Sequence, residues 1–409
     1  MQENYIANFN FLSPRKESQN IKLGLKNIKK ALNKIKNPCK DIPAIQIVGT
    51  NGKGSISAFL ENILYFSKNN VGITTSPHLL DICERIRVNK NNIPQKDLKR
   101  ISHEIFNSLT DFELSPFEFI ICCALKFFDE QKVDLILLEA GLGGRLDATT
   151  AHRLRPIIAI GKIGIDHSEY LGNTLEKIAL EKIAVIQKNS YVISCKQEPE
   201  VEALINKKIQ DIEASIFWVK PLSEEWELSL KGNFQKENAA VAIGVIKILN
   251  KIGWDIKTSF VKKGITTATW PGRLEIVRWK NKQILIDSAH NPLAAKVLSK
   301  EREGWLNQEK GVYWILGVQI NKDFRSITRE LFKPQDKLLL VPVPNHESWT
   351  LELISKNICL DERNINEFEN LDLALQYLEE LNEWPPCNPV LAGSIFLVSE
   401  FIKSLNLKV

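Results

Sequence analysis

Two glycines, a lysine and a serine follow an apolar segment early in the chain, and residues of these types in this order can bind phosphate. Residues 44–57 read AIQIVGTNGKGSIS. Gly49 and Gly52 let the backbone curl so that N–H groups point inward, and Lys53 supplies a mobile positive charge. Ser55 offers a hydroxyl to a magnesium ion. The spacing departs from the standard G-x-x-x-x-G-K-[ST] pattern, so an ordinary strand-to-helix turn remains the alternative.

A carboxylate and an imidazole follow two further apolar segments. Glu139 lies in VDLILLEA, residues 133–140, and His167 follows PIIAIGKIGI, residues 156–165. The carboxyl ends of parallel strands meet at one edge of a sheet, so both side chains are expected near Ser55, around magnesium beside the phosphates. The alternatives are a helix cap or salt bridge for Glu139 and a polar loop side chain for His167.

Other candidate residues occur in turn-like segments after strand-like runs. His78 lies in TTSPHL and His290 in DSAHNP, and this placement favours function over packing. Arg273 is expected to reach phosphate, and Asp287 to hold a ribose or a phosphate-linked water. An interdomain salt bridge is the alternative for both residues.

Apolar strands alternating with helical patterns must position these residues. They predict an α/β fold with a mostly parallel sheet in each of two domains, residues 1–270 and 271–409. The second domain contains apolar segments at 283–290, 312–318, 337–344 and 389–402. Pro271 and Gly272 suit a hinge, so we expect ATP-dependent chemistry with magnesium in the cleft between the domains.

The composition is that of an ordinary globular protein. The chain has 409 residues, 44% of them apolar, and a formal net charge of +5. Its seven cysteines are scattered without C-x-x-C spacing, which argues against a disulfide framework or a zinc site and favours a reducing cytoplasm. No signal-like start and no long apolar run is present, so we expect neither secretion nor a membrane span.

Early lysines raise the question of nucleic-acid binding. Leu25, Ile28, Leu32 and Ile35 recur at helical spacing among them, which predicts an amphipathic helix whose lysines face solvent. We therefore expect no nucleic-acid partner.

Ten segments identify a family resemblance. IVGTNGKGS, TTSPHLLDICERIRVN, SPFEF, LLEAGLGGRLDATT, GIDHSEYLG, EKIAVI, GNFQKENAA, PGRLE, DSAHNP and LAGS occur in this order between about residues 20 and 400. Together they resemble the folylpolyglutamate synthase/dihydrofolate synthase family of Mur-type amide ligases. The resemblance implies an N-terminal P-loop ATPase domain and a smaller C-terminal Rossmann-like domain.

The resemblance also implies a reaction. ATP phosphorylates a pteroate or folate carboxylate, and the glutamate nitrogen then displaces phosphate from the acyl phosphate. The expected substrates are dihydropteroate, reduced folates and L-glutamate, acted on by one bifunctional monomer. The alternatives are folylpolyglutamate extension alone, another Mur-type ligase, or a non-catalytic ATP-binding switch. A cell-wall ligase is disfavoured because such enzymes carry an additional N-terminal domain.

Site residues are carried over from the matching segments. The ATP-binding positions are Asn51, Gly52, Lys53, Gly54, Ser55, Asn238, Arg273 and Asp287. The magnesium ligands are Ser55, Ser76, Glu139 and His167, together with Lys182, which the family carbamylates to hold a second ion. The pteroate pocket is lined by Phe117, Glu118, Phe119, Leu146, Asp147 and Ala148. The catalytic residues are Lys53, Lys182 and His290. The alternative for Lys182 is a plain surface lysine on a helix.

Overall fold

The computed structural model describes residues 23–354 and 360–406, in two compact units. The first unit comprises Met1–Ser229 and Gln235–Thr269, and the second comprises Leu230–Phe234 and Trp270–Val409. The sequence-based boundary lies after residue 270. The two units are described separately below.

The first unit is built on an eight-stranded sheet within the described residues. Its strands are β1 (Ala44–Val48), β2 (Val71–Thr74), β3 (Ile86–Val88), β4 (Asn91–Asn92), β5 (Leu135–Glu139), β6 (Ile157–Ile160), β7 (Tyr191–Cys195) and β8 (Ser215–Val219). Its helices are α1 (Lys26–Lys34), α2 (Lys53–Phe66), α3 (Gln95–Ser108), α4 (Pro116–Glu130), α5 (Ser168–Leu171), α6 (Leu175–Ile183), α7 (Pro199–Asp211), α8 (Phe234–Lys251) and α9 (Thr258–Thr266).

The strand order places the predicted ligand-bearing segments side by side. The order is β4-β3-β2-β5-β1-β6-β7-β8. In this order the six strands β2, β5, β1, β6, β7 and β8 pair in parallel, and β3 is antiparallel to both β2 and β4. In register, Ile47 of β1 pairs with Glu139 of β5, and Val48 pairs with Ile160 of β6. The segments after β2, β5, β1 and β6 therefore leave the sheet at one edge, in adjacent positions.

The second unit contains a six-stranded sheet among the residues that the structure describes. Its strands are β9 (Glu275–Trp279), β10 (Lys282–Ile286), β11 (Tyr313–Leu316), β12 (Lys337–Leu340), β13 (Ile365–Glu367) and β14 (Val390–Ala392), in the order β13-β12-β11-β14-β10-β9. Its helices are α10 (Pro292–Arg302), α11 (Phe324–Leu331), α12 (Leu351–Ile354), α13 (Leu371–Glu379) and α14 (Ile395–Asn406). β9 is antiparallel to β10, and the other pairings are parallel. The predicted fold of two mostly parallel α/β sheets is confirmed.

The apolar segment 389–402 is a strand over Val390–Ala392 and a helix from Ile395 onward. Gly393 separates the two with φ of 102°, a left-handed conformation that favours glycine. A Cβ at this position would lie 3.0 Å from Leu316 Cδ1. The helical half was hidden in the sequence because a buried helix and a buried strand are both apolar throughout.

Helix α9 packs unusually close to α2 in the first unit. A Cβ added at Gly264 would lie 2.6 Å from the Cα of Ile63, so only glycine permits this approach of the two backbones. The Asn62 side-chain amide donates to Gly264 O at 2.7 Å and to Thr267 Oγ1 at 2.9 Å. The phosphate-loop helix is therefore fixed to the last helix of its unit.

Other sequence-based expectations are also addressed by the structure. The amphipathic helix is confirmed as α1, which buries Ile28, Ala31 and Leu32. Six cysteines are free and buried, and Cys359 and the N-terminal residues 1–22 lie outside the described residues. No helix in the described part of the chain is both long enough and apolar enough to cross a bilayer.

Candidate functional site

The phosphate loop connects β1 to α2 and is held against the segment that follows β6. Gly52 has φ of 88° and caps α2, which begins at Lys53. The Thr50 hydroxyl donates to Gly164 O at 2.8 Å and accepts from Gly164 N at 3.0 Å. The N-terminus of α2 carries partial positive charge from its peptide dipoles, so this end of the helix favours an anion.

Two lysines converge beside this loop. Lys53 Nζ donates to Gly49 O at 3.0 Å, and Lys182 Nζ donates to the same oxygen at 3.1 Å. Lys182 is only 5% exposed, so it is not the surface helix lysine that was the sequence-based alternative. Burial, and then the nearby charge of Lys53, lower the pKa of Lys182 to about 7. A large share of Lys182 is therefore a neutral amine at neutral pH.

A buried carboxylate ends the strand next to the phosphate loop. Glu139 is 4% exposed and is the last residue of β5. Ser76 follows the neighbouring strand β2, and a Cβ at Gly141 would lie 3.2 Å from its hydroxyl. Ser55, in the first turn of α2, is 3% exposed. The strand order thus brings Ser55, Ser76 and Glu139 to one edge of the sheet.

His167 adopts a strained backbone conformation after β6. Its φ of 52° and ψ of 41° are left-handed values, which a non-glycine residue adopts at a cost and which concentrate at functional sites. Its backbone N–H donates to Asp166 Oδ1 at 2.8 Å, and its Nε2 lies 3.9 Å from Asp166 Oδ2. Asp166 is 8% exposed and was not predicted as a site residue. Its carboxylate contacts both the backbone and the imidazole of His167.

The residues at this edge fit a magnesium ion by donor type. No cluster of three or more His, Cys, Asp or Glu side chains that could bind a metal occurs within residues 23–354 and 360–406. The predicted magnesium ligands are not a cluster of that type, because Ser55 and Ser76 would contribute hydroxyls beside the Glu139 carboxylate. Hard divalent cations prefer such oxygen donors and retain waters in the remaining positions.

Helix α8 also contributes to the phosphate-loop site, through Asn238 and through Gln235, which bonds to Asn238. A Cβ at Gly52 would overlap Asn238 Oδ1, so the predicted ATP-binding Asn238 lies directly against the phosphate loop. The Asn238 amide donates to Gln235 Oε1 at 3.0 Å. Gln235 Nε2 is buried and lacks an acceptor among the described residues. Gln235 was not predicted as a site residue, although it lies in the GNFQKENAA segment.

The six predicted pteroate-pocket residues occupy half-buried and buried positions. The Phe117 ring lies over Gly141, where a Cβ would approach Phe117 Cζ to 2.8 Å. Glu118 instead caps α4, because its carboxylate accepts from Ser115 N at 2.8 Å. Phe119 and Ala148 pack in the hydrophobic core, and Leu146 is half-buried.

Asp147 organises the glycine-rich loop after β5. Its Oδ2 accepts from the backbone N–H groups of Gly141 and Leu142, both at 2.9 Å. Its Oδ1 accepts from Thr149 N at 2.9 Å and from the Thr149 hydroxyl. Burial raises the pKa of Asp147, and these donors oppose that shift. Loop organisation is thus a role for Asp147 that the sequence did not reveal.

Predicted residues of the second unit lie around the end of β10. Asp287 accepts from Leu274 N at 2.9 Å and from Ala289 N at 2.8 Å, so it ties the Arg273 turn to the end of β10. Burial raises the pKa of Asp287, and the charges of Arg273 and His290 oppose that shift. His290 Nδ1 lies 2.8 Å from Ser288 O, which identifies Nδ1 as the protonated nitrogen and leaves Nε2 as an acceptor in the neutral ring.

Comparison with known proteins gives concordant matches. A sequence model of "Dihydrofolate synthetase, C-terminal domain" matches residues 273–404. The dihydrofolate synthase/folylpolyglutamate synthase of Buchnera aphidicola subsp. Schizaphis graminum is 31% identical, over 87% of this chain and 86% of its own length. The probable dihydrofolate synthetase of Schizosaccharomyces pombe is 28% identical, over 95% of this chain and all of its own length.

A solved structure agrees with these sequence matches. The folylpolyglutamate synthase of Thermotoga maritima superposes with a TM-score of 0.78 at 26% identity, covering 100% of this chain and 98% of its own. The similarity therefore extends over both units rather than over the phosphate loop alone. On this evidence, the chain belongs to the dihydrofolate synthase/folylpolyglutamate synthase family.

Proposed function

We propose that this chain is an ATP-dependent ligase that joins L-glutamate to dihydropteroate, giving dihydrofolate, and to tetrahydrofolate, giving polyglutamates. The observation that carries the proposal is the convergence of Lys53 and Lys182 on Gly49 O, beside the N-terminus of α2. The Lys53 ammonium and the N-terminus of α2 both favour an anion beside this loop. A triphosphate is such an anion, and family membership supports the same ligand.

The chemistry requires that negative charge be neutralised twice. A substrate carboxylate oxygen attacks the γ-phosphorus of ATP and ADP leaves; the glutamate amine then attacks the acyl carbon and phosphate leaves. In both steps charge accumulates on phosphoryl oxygens. In this proposal Lys53 and the N-terminus of α2 stabilise that charge, and such preorganised groups act most strongly where water is excluded.

A divalent cation would be held by the hydroxyls of Ser55 and Ser76, the carboxylate of Glu139 and the imidazole of His167. When bound, it would offset the charge of the triphosphate. We further propose that Lys182 reacts with CO2 to give a carbamate, an anion suited to a second magnesium ion. Its burial and the nearby charge of Lys53, which lower its pKa, support this assignment, since carbamates form from the neutral amine.

The relatives do not distinguish one activity from two. They carry names for dihydrofolate synthesis alone, for folylpolyglutamate synthesis alone and for the combined activity. Both reactions share the acyl-phosphate step, so one ATP site serves both if the pterin binds at two depths. In this proposal Phe117 stacks on the flat pterin, which its half-buried ring near Gly141 and Ser76 supports. The bifunctional assignment is therefore our proposal for this chain.

The test is a paired ligation assay. The purified protein is incubated with ATP, magnesium and labelled L-glutamate, together with either dihydropteroate or tetrahydrofolate. We expect labelled product with each acceptor and one ADP released per amide formed. Product from tetrahydrofolate alone would favour the extension-only alternative. ATP binding without product from either acceptor would favour a non-catalytic switch.

We also propose that the protein is a cytoplasmic monomer. Scattered cysteines without a disulfide pattern support a reducing compartment. Light scattering after size-exclusion chromatography tests the monomer, and cell fractionation tests the location. A dimer mass, or recovery outside the cytoplasmic fraction, would contradict the corresponding part of the proposal.

A further inference from the structure

The loop between β2 and β3, which carries Ser76 and His78, is ordered by one of its own side chains. The Glu84 carboxylate accepts from three successive backbone N–H groups, those of Leu79 at 2.7 Å, Leu80 at 2.9 Å and Asp81 at 2.9 Å. Three backbone donors on one carboxylate fix the local conformation because each would otherwise need water. Glu84 therefore fixes the backbone of residues 79–81 in one conformation.

Arg87, on β3, attaches this loop to the phosphate-loop helix. Its Nε donates to Glu61 Oε1 at 3.0 Å, and its Nη2 donates to Glu61 Oε2 at 2.8 Å. On the other side, its Nη1 donates to Thr75 Oγ1 at 3.1 Å and to Glu84 O at 2.6 Å. One guanidinium thus contacts α2, through Glu61, and both ends of the loop that carries Ser76.

Two properties of this contact separate it from an ordinary ion pair. Arg87 and Glu61 are each only 8% exposed, so the pair is shielded from water and holds a defined geometry. The guanidinium is a rigid planar fork whose donors point in fixed directions, whereas a lysine supplies a point charge on a flexible stem. Arginine can therefore set the distance between the two elements, and lysine cannot.

The two elements that Arg87 joins each carry a predicted ligand of the same cation. Ser55 lies on α2, as does Glu61, and Ser76 directly follows Thr75. We propose that Arg87 is a positioning residue that holds the Ser76 hydroxyl at the distance from Ser55 that a shared divalent cation requires. This inference rests on the proposed function, because it takes a divalent cation beside ATP as given.

The test compares Arg87→Lys with the wild type and with a control, Arg100→Gln. Arg87→Lys keeps the charge opposite Glu61 and removes the fork. Arg100 forms an ion pair with Glu130 at 2.6 Å, but its side chain is 44% exposed and lies on α3, outside the proposed site. The first measurement is calorimetric binding of AMPPNP over a range of Mg²⁺ concentrations and in EDTA, which needs no turnover. The second is amide hydrogen exchange of residues 79–81.

We expect Arg87→Lys to raise the Mg²⁺ concentration required for tight AMPPNP binding by about tenfold or more, as for other residues that orient metal ligands. Binding in EDTA is expected to stay unchanged, and amides 79–81 to exchange faster. Arg100→Gln is expected to change none of these quantities. Glu61→Gln, which keeps the shape of the side chain, is expected to reproduce the effect if Arg87→Lys folds poorly.

Wild-type Mg²⁺ dependence in Arg87→Lys and Glu61→Gln would overturn the inference, whether or not their amides exchange faster, because the contact would then be only structural. The proposed function fails by a different result. A wild-type protein that binds AMPPNP with Mg²⁺ but forms no amide would refute the ligase assignment and leave the role of Arg87 to be decided by the binding data.

Discussion

The carboxyl edges of the two sheets share a structural device but differ in charge. In each, a buried aspartate accepts backbone N–H groups and shapes the adjoining turn: Asp147 in the first unit and Asp287 in the second. The first edge adds two lysines at one carbonyl oxygen, Gly49 O. The second adds Arg273 and His290 around Asp287.

This difference indicates how the two edges are specialised. The Lys53 ammonium and the N-terminus of α2 suit the first edge to the triphosphate of the proposed function, and the buried Glu139 carboxylate suits it to the accompanying cation. At the second edge, the charges of Arg273 and His290 oppose the rise in the pKa of Asp287 that burial causes. Variants that remove charge at the first edge should therefore affect turnover most, and variants at the second should affect local stability.

The largest effect is expected for Lys53→Ala. Loss of a cation that follows the transferring phosphoryl group should lower kcat by about 100-fold or more, as for other preorganised charge-stabilising groups. Steady-state kinetics with ATP and labelled glutamate measure it, and thermal unfolding should show an intact fold. Near-normal ligation by this variant would contradict the assignment of residues 49–55 as the phosphate loop.

A similar loss of kcat is expected for Lys182→Ala, but this variant should be partly rescued by added carboxylic acids. Without the carbamate the enzyme should be nearly inactive, and small carboxylic acids added to the assay should restore part of the activity by occupying the vacated space. Lys53→Ala serves as the control, because the same acids should not rescue it. An active wild-type enzyme whose mass spectrum and electron density show only unmodified lysine would contradict the carbamate.

The pKa of Lys182 predicts a pH-dependent stability. Its folded pKa of about 7 is below its ordinary value of 10.5, so the unfolded chain binds more protons between these pH values. Without magnesium and CO2, the free energy of unfolding should therefore rise with pH across this window, by at most about 1.4 kcal/mol per pH unit for this group. Denaturant unfolding of wild type and Lys182→Met at several pH values measures it; equal slopes would contradict the buried, depressed pKa.

The smallest effects are expected from a matched pair, Asp147→Asn and Asp287→Asn. Each amide replaces one accepting oxygen with a donor that faces a backbone N–H, which should cost about 1–3 kcal/mol of stability. Their activities should differ. Asp147→Asn should impair the use of dihydropteroate more than that of tetrahydrofolate, and Asp287→Asn should affect both acceptors equally. Ligation assays with both acceptors test this contrast. If Asp147→Asn impaired the use of dihydropteroate and of tetrahydrofolate equally, the prediction would be wrong.

The sequence predicted the parts of the site that depend on strand order. Glu139 ends an apolar run, and parallel strands bring such ends together whatever lies between them in the chain. The sequence could not show that Thr50 bonds to Gly164, because that contact joins residues 114 positions apart. The Glu118 cap is a local feature: Ser115 and Glu118 form a capping box, whose S-x-x-E spacing is visible in the sequence, although Glu118 was predicted only as a pocket residue. Asp147 was also predicted only as a pocket residue, although it accepts from backbone groups two to six residues away.

The close approach of Gly264 to Ile63 sets an order of events during synthesis. The hydrogen bond from Asn62 to Gly264 closes a separation of 202 residues, so α2 emerges from the ribosome long before its partner helix exists. Domains generally fold as they are made, but here folding of the first unit must wait for α9. Until then the face of α2 that packs on α9 is uncovered, and we expect a nascent chain paused before residue 264 to bind chaperones that recognise exposed apolar surface.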